Sequence, residues 1–409
     1  MNHAKPIYLL GAGASCDAGL PMSQDLTTKI GKLIAKTEPI EQSPYGYEPY
    51  MGLLTQAYYA TLTLLEAGDA YIGRPPRQVD IERLFSAAQS LATVSSLEVA
   101  PFVQEWRQPF LLYSSPSEWK YFLQNIKNYD PLTWDAKING APPVPPTPSF
   151  QRIYGELCER ICDALQAALT AHSPEDHSYL SSMFDASSTT RIATLNYDLG
   201  VEQAARGRGL DVDTGITKWR GGLRWRWSDP KANVQLLKLH GSLDWGQPVG
   251  EGGYLPPETP SIVTEDSDDY ICDKRPNQLT HRTPGMIFGL RNKLRPDGPF
   301  MAMLNEFWQW LEEADKLVVI GYSFRDEHIN SLILDWIHLG TGRTLEVVDP
   351  SIPRSWRKCT SATPWIIRSA LDYKHHEAPG CPIYPQSWLE DKPCFIFRRQ
   401  GAKGWLESL

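Results

Sequence analysis

The sequence predicts an α/β protein built on an open, mostly parallel sheet. Two observations carry the prediction. Four β-type apolar runs each end abruptly in small, Asn or His residues: Ile7–Ser15 (IYLLGAGAS), Arg191–Asp198 (RIATLNYD), Val234–Ser242 (VQLLKLHGS) and Leu317–Phe324 (LVVIGYSF). Helical patterns follow or separate these runs, as in strand–turn–helix units. Strands ending this way deliver backbone N–H groups and a few side chains to the carboxyl edge of a parallel sheet, where open α/β sheets hold nucleotides.

The elements read in order as follows. Ile7–Leu10 is a strand that stops at Gly11-Ala12-Gly13-Ala14-Ser15. Ser23–Ala35 is a helix with Leu26, Ile30, Leu33 and Ile34 on one face. From about 36 to 185 no strand signal of comparable strength appears. Helical spacing recurs in Met51–Ala67, Ile81–Leu97, Pro116–Ile126 and Ser149–Ala171, and the proline-rich Ala141–Pro148 reads as linker or loop. This region is expected to be a large, mostly helical insertion.

Regular α/β character resumes with strands at Arg191–Leu195, Val234–Leu239, Leu317–Ile320 and Thr344–Val348. Helices are expected at Leu199–Arg206, Phe300–Ala314 and Glu327–Ile337. Lys218–Trp227 (KWRGGLRWRW) reads as a β-hairpin around Gly221-Gly222, as a protein interface, or as a surface that stacks on a nucleotide or single-stranded nucleic acid. From about 350 onward no clear period is visible. The expected domains are 1–35 with 186–360 as the sheet domain, 36–185 as the insertion, and 361–409 as an extension packed on the core.

Composition bounds the function. With 409 residues, 42% hydrophobic and 22% charged, the chain reads as a soluble globular protein. A net charge of −8 argues against a broad nucleic-acid-binding face. The seven cysteines include no CxxC pair and read as reduced thiols. No signal-peptide pattern and no apolar run of membrane-spanning length is seen, so a cytoplasmic protein without membrane attachment is expected. There is no Walker A pattern.

Each candidate site residue has a functional and a structural reading. Gly11, Ala12, Gly13 and Ser15 suit a turn whose backbone approaches a pyrophosphate, or equally a tight structural turn. Asn196 and Asp198, directly after a strand, can hold a ribose hydroxyl or a water, or cap the next helix through an Asx-type turn. His240, beside Gly241, can act as a general base near neutral pH, or be a satisfied core residue. Gly321 and Ser323 repeat the strand-then-small-residue design. Asp326 serves equally as the N-cap of the following helix. Asp349, after TLEVV, is placed to take an adenosine ribose hydroxyl.

In this ordered combination the four segments resemble the sirtuin family, and most of all its divergent bacterial branch of NAD-consuming, anti-phage defence effectors. The resemblance covers residues 7–35 and about 190–350. It implies a Rossmann-like, sirtuin-type domain in which Gly11, Ala12, Gly13 and Ser15, then Asp198, Gly321 and Ser323, line the NAD site. Asn196 would orient water and ribose, and His240 would be the catalytic base.

The departures from the family matter too. Protein-deacylating sirtuins carry a four-cysteine zinc ribbon after the His-Gly motif, whereas only Cys272 lies between His240 and Gly321. Their Pro-x-Phe-Arg segment is replaced by Pro21-Met22-Ser23-Gln24. No zinc is therefore expected, and water becomes the natural acceptor. The resemblance implies an NAD+ glycohydrolase releasing nicotinamide and ADP-ribose, gated by homo-oligomer formation or by a HerA-like ATPase partner, with a phage or nucleic-acid trigger reaching it through a partner. A zinc-less protein deacylase or ADP-ribosyltransferase, and a non-enzymatic NAD or ADP-ribose sensor, are the competing readings.

Overall fold

The computed structural model describes residues 5–37, 52–71, 79–93, 150–170, 174–219, 221–246, 263–264, 284–286, 299–339, 342–360, 363–376 and 394–409. The chain divides into two compact units, one of Met1–Met22, Ala171–Ile287 and Asn292–Leu409, the other of Ser23–Thr170 and Phe288–Arg291.

The second unit is helical among its described residues: α1 (Ser23–Thr37), α2 (Leu53–Tyr71), α3 (Ile81–Ala92) and α4 (Phe150–Thr170). The Tyr58 hydroxyl donates to the Thr27 carbonyl at 2.6 Å, and Thr27 Oγ1 donates to the Val79 carbonyl at 2.8 Å, pinning α1, α2 and the start of α3. Asp80 caps α3, accepting the Arg83 amide at 2.9 Å. The Arg83 guanidinium reaches back to Asp69 on α2, a residue only 4% exposed. The expected helix Pro116–Ile126 and linker Ala141–Pro148 lie outside the described residues.

The first unit is built on β1 (Ile7–Leu10), β2 (Thr190–Thr194), β3 (Val212–Asp213), β4 (Val234–Lys238), β8 (Lys316–Ile320), β9 (Thr344–Val348) and β10 (Cys394–Arg398), in the order β10-β9-β8-β1-β2-β4-β3. Every pairing is parallel, with Leu10 opposite Thr194 on one side and Ile320 on the other. This is a Rossmann-like α/β sheet. Its strands are near-continuous apolar runs because both faces are covered. Leu9, Ala193, Leu237 and Val319 face one core with α6 (Phe300–Glu313) and α7 (Glu327–Leu339). Leu10, Ile192, Leu236 and Ile320 face the other, with α5 (Gly200–Gly207) and the 3-10 segment Pro174–Met183. A small antiparallel sheet, β6-β5-β7, is formed by Val263–Thr264, Gly241–Gly246 and Pro284–Met286. Among the described residues, no helix is long and apolar enough to cross a membrane.

Two expectations are corrected. No hairpin forms among the described residues of Lys218–Trp227: they carry no strand, and a 3-10 turn at Ile216–Lys218 runs into irregular chain. Trp219 and Trp225 are buried in the sheet's core, and Trp227 stacks on Trp310 with centroids 5.5 Å apart, so the tryptophans are packing residues. The region after 350 is also regular where described. Helix α8 (Trp365–His376) contributes Ile366, Ile367 and Ala370 to the core, and β10 adds an edge strand beside β9. Helix α9 (Ala402–Leu406) follows, and Asp17 Oδ2 accepts its Lys403 amide at 2.7 Å.

Candidate active site

Strand order places the site. From β1 the sheet continues through β2 and β4 on one side and through β8 and β9 on the other, so the topological switch falls between β1 and β8. Open α/β sheets bind ligands in the crevice at that point. The turn after β1 and the turn after β8 meet there back to back. The Gly11 amide donates to the Ile320 carbonyl and the Gly13 amide to the Gly321 carbonyl, both at 2.9 Å.

Glycine is demanded by this contact. A Cβ on Gly13 would lie 2.7 Å from Gly321 Cα. One on Gly321, at φ +62°, would lie 2.3 Å from the Ala14 nitrogen. The glycines' missing side chains are therefore replaced by protein backbone. The amides of Gly11, Gly13, Ala14 and Ser15 are all engaged within the two turns, and Ala12, which is exposed, retains an amide with no backbone partner among the described residues. The turn offers a ligand one donor and a narrow surface, rather than a full ring of N–H groups.

Asn196 sits two residues beyond the end of β2 and reaches across to this turn. Its Nδ2 donates to the Gly11 carbonyl at 3.0 Å and to Ser15 Oγ at 3.1 Å. Ser15 Oγ in turn donates to Asp198 Oδ2 at 2.9 Å. Both protons of the Asn196 amide nitrogen are thus used, and its Oδ1, without a partner among the described residues, is left as an acceptor for a ligand. Asp198 Oδ1 accepts the Gly200 amide at 2.9 Å, closing an Asx turn before α5. The cap and the site contact coexist on one carboxylate.

His240 follows β4 and is 5% exposed. Its Nε2 lies 2.8 Å from Asp326 Oδ2. Asp326, 5% exposed, immediately precedes α7, and its Oδ1 accepts the amides of His328 at 3.0 Å and Ile329 at 3.3 Å. A carboxylate bound in this way is an acceptor at Oδ2 as well, so Nε2 carries the ring proton and Nδ1 is the basic nitrogen. The Tyr197 ring lies 6.5 Å from the imidazole, centroid to centroid.

The loop that delivers Asp326 is braced. The Tyr322 hydroxyl accepts the Asp326 amide at 3.1 Å and donates to Asn330 Oδ1 at 2.9 Å. Burial, then the nearby Asp326 charge, push the Tyr322 hydroxyl well above its ordinary range, so it remains a donor. Asn330 Nδ2 donates to the Phe324 carbonyl at 2.8 Å, holding Phe324 at φ +53°, a left-handed conformation that non-glycine residues rarely adopt.

The structure therefore brings Gly11, Gly13, Ser15, Asn196, Asp198 and Gly321 into one hydrogen-bonded or packed group, and pairs His240 with Asp326. Ser323 is exposed beside them. Asp349 follows β9 and accepts the Ser351 amide at 2.7 Å. It lies four strand positions from β4, about 19 Å at ~4.8 Å per strand. Sequence reasoning left Asp326 open between a helix cap and a function, and gave it no specific role at the site. The signal was its position three residues past Ser323, at the same sheet edge as His240. A cavity of about 400 Å³ bordered by Lys5, Ile7, Arg191 and Gln235 lies at the opposite, amino edge of the sheet and shares no residue with this group. Among the described residues no cluster of three or more His, Cys, Asp or Glu side chains can hold a metal ion, and Cys272 lies outside them.

Fold and site together define an open α/β protein whose switch-point crevice carries an amide acceptor on one strand and a carboxylate-oriented imidazole on another. Residues 190–347, from β2 to β9, match the family model of the SIR2-like domain. No curated protein matches the chain. Among solved structures the chain is similar to a crystal structure of a Sir2 homolog–NAD complex, at 12% identity and a TM-score of 0.36, covering 99% of this chain and 87% of that one. At that TM-score the fold rests on the strand order alone.

Proposed function

We propose that this crevice binds NAD+ and hydrolyses it to nicotinamide and ADP-ribose. The observation that carries the reading is the pair of oriented groups at the sheet edge: Asn196 Oδ1 turned out as an acceptor, and His240 Nδ1 left basic by Asp326. The match of residues 190–347 to the SIR2-like domain supports NAD as the substrate.

In the reaction the bond between ribose C1′ and the nicotinamide nitrogen breaks, its electron pair leaving with nicotinamide. Positive charge develops on the ribose. His240 Nδ1 accepts a hydrogen bond or a proton from a ribose hydroxyl, which offsets that charge, and Asp326 steadies the imidazolium that results. Asn196 Oδ1 holds a water against the opposite face of the sugar. The water oxygen bonds to C1′, one of its protons is released to solvent, and a proton taken up by His240 returns to the ribose hydroxyl. Positioning and charge stabilisation are all that the protein supplies.

Such an activity depletes a coenzyme that every cell needs, so we place it in a gated effector of bacterial anti-phage defence. Gating would come from assembly with further copies of the chain or with a HerA-like ATPase, as the family resemblance implies. The test of the chemistry is product analysis in the absence of any acylated peptide or acceptor protein. The reading expects free ADP-ribose and nicotinamide in equal amounts. Nicotinamide release that depends on an acyl-lysine or protein acceptor would replace it with the transferase reading.

A further inference from the structure

Lys238 ends β4 and is 0% exposed, in a strand whose five residues are all buried. A cation in such a place is costly, and a buried ion pair is often matched or bettered in stability by apolar residues of the same volume. Its surroundings do not optimise it for stability. Nζ donates to Glu202 Oε1 at 2.9 Å, but Glu202 Oε2 is buried and has no partner among the described residues. Burial pushes the Glu202 carboxyl up against the pull of Lys238, and Asp244 adds to that push.

What Lys238 does provide is reach. Its Nζ also donates to the backbone carbonyl of Asp198 at 2.6 Å, spanning from β4 to the turn after β2. From Asp198 the bonds run on without a break. Its Oδ2 accepts from Ser15, Ser15 Oγ accepts from Asn196, and Asn196 donates onward to Gly11. One buried amine, two residues before His240, thus ties the strand that carries the imidazole to the turn that carries the amide.

We propose that Lys238 is a positioning residue that fixes the Asn196–Asp198 turn relative to His240, with Glu202 as its counter-ion. The consequence for turnover rests on the NAD-cleaving reading, whereas the mechanical tie does not. An apolar pair at the two positions would preserve the core while releasing the turn.

The test is the double variant Lys238→Met/Glu202→Leu, which leaves no orphaned charge of the pair, studied by peptide-resolved hydrogen exchange and by nicotinamide release. The expected result is a folded protein whose 196–200 amides exchange at least about tenfold faster while β1 and β4 stay protected. Its kcat falls on the order of 10²-fold and its KM for NAD changes less than about threefold, as for a displaced catalytic group. Unchanged exchange at 196–200 overturns the tie, whatever the activity. Faster exchange with unchanged kcat overturns the positioning role. A wild-type protein that releases no nicotinamide overturns the NAD reading instead, and exchange alone then decides the tie. If the double variant fails to fold, Lys238→Gln/Glu202→Gln, which keeps a neutral polar pair but is too short to reach the Asp198 carbonyl, is read on the same two measurements.

Discussion

His240 Nε2 and Asp326 Oδ2 lie 2.8 Å apart, although 86 residues separate them in sequence. The pairing fixes which imidazole nitrogen is basic. Asp326→Asn therefore should abolish most of the activity while sparing the helix, because Asn caps about as well as Asp and costs under about 1 kcal/mol of stability. Turnover is expected to fall by about 10²-fold or more. Steady-state kinetics beside a thermal melt check it, and a fully active Asp326→Asn protein would make the pairing incidental.

The glycine contact between the two turns makes a prediction about stability. Gly321→Ala places a Cβ 2.3 Å from backbone and forces a left-handed φ on a residue that resists it. Denaturant unfolding should show a loss of more than about 2 kcal/mol. The same substitution at Gly404, where an added Cβ meets nothing within 4 Å, serves as the control and should be near neutral.

The Trp/Arg stretch separates core from surface. Trp225→Ala is expected to cost about 3–5 kcal/mol. Arg224→Ala and Arg226→Ala, at exposed positions, should each stay within about 0.5 kcal/mol. A large stability loss on removing either arginine would contradict the packing described.

Edge strand β10 should be acid-sensitive. Glu346 is 2% exposed. Burial opposes its ionisation, but Lys316 at 2.8 Å and Arg398 at 2.6 Å outweigh that and hold its carboxyl below the ordinary 4.5. A depressed folded value means that the stabilisation is present above the unfolded value and is lost as pH falls through the folded one. Glu346→Gln should therefore cost about 1–3 kcal/mol at pH 7. The gap to wild type should close progressively below pH 4.5, as thermal melts at pH 7 and pH 3 would show.

Much of this was legible in sequence because the strands of the central sheet are buried on both faces and end abruptly. Ile7–Leu10 and Thr344–Val348 read correctly, and Leu317–Ile320 and Val234–Leu239 by all but one residue. β3, β6 and β7 were missed, since strands of two or three residues have no period to read, and β5 was missed because GSLDWG opens and closes on glycine. β10 was missed because its charged residue, Arg398, is satisfied by Glu346 of another strand, which spacing along the chain does not show. At the site, sequence posed a choice between cap and function for Asp198 and Asp326. The structure gives each carboxylate both tasks, one oxygen to the backbone and the other to Ser15 or His240. Sequence spacing cannot divide the oxygens of one side chain. Nor did it mark Lys238, whose role depends on a carbonyl 40 residues away.

The most direct measurement is NAD consumption by purified wild-type, Asn196→Ala and His240→Ala proteins, each verified as folded by its melting curve. The account predicts nicotinamide and ADP-ribose from the wild type and a loss of turnover on the order of 10²–10³-fold in each variant. Undiminished turnover in either folded variant, or NAD bound by the wild type without any cleavage, would contradict it.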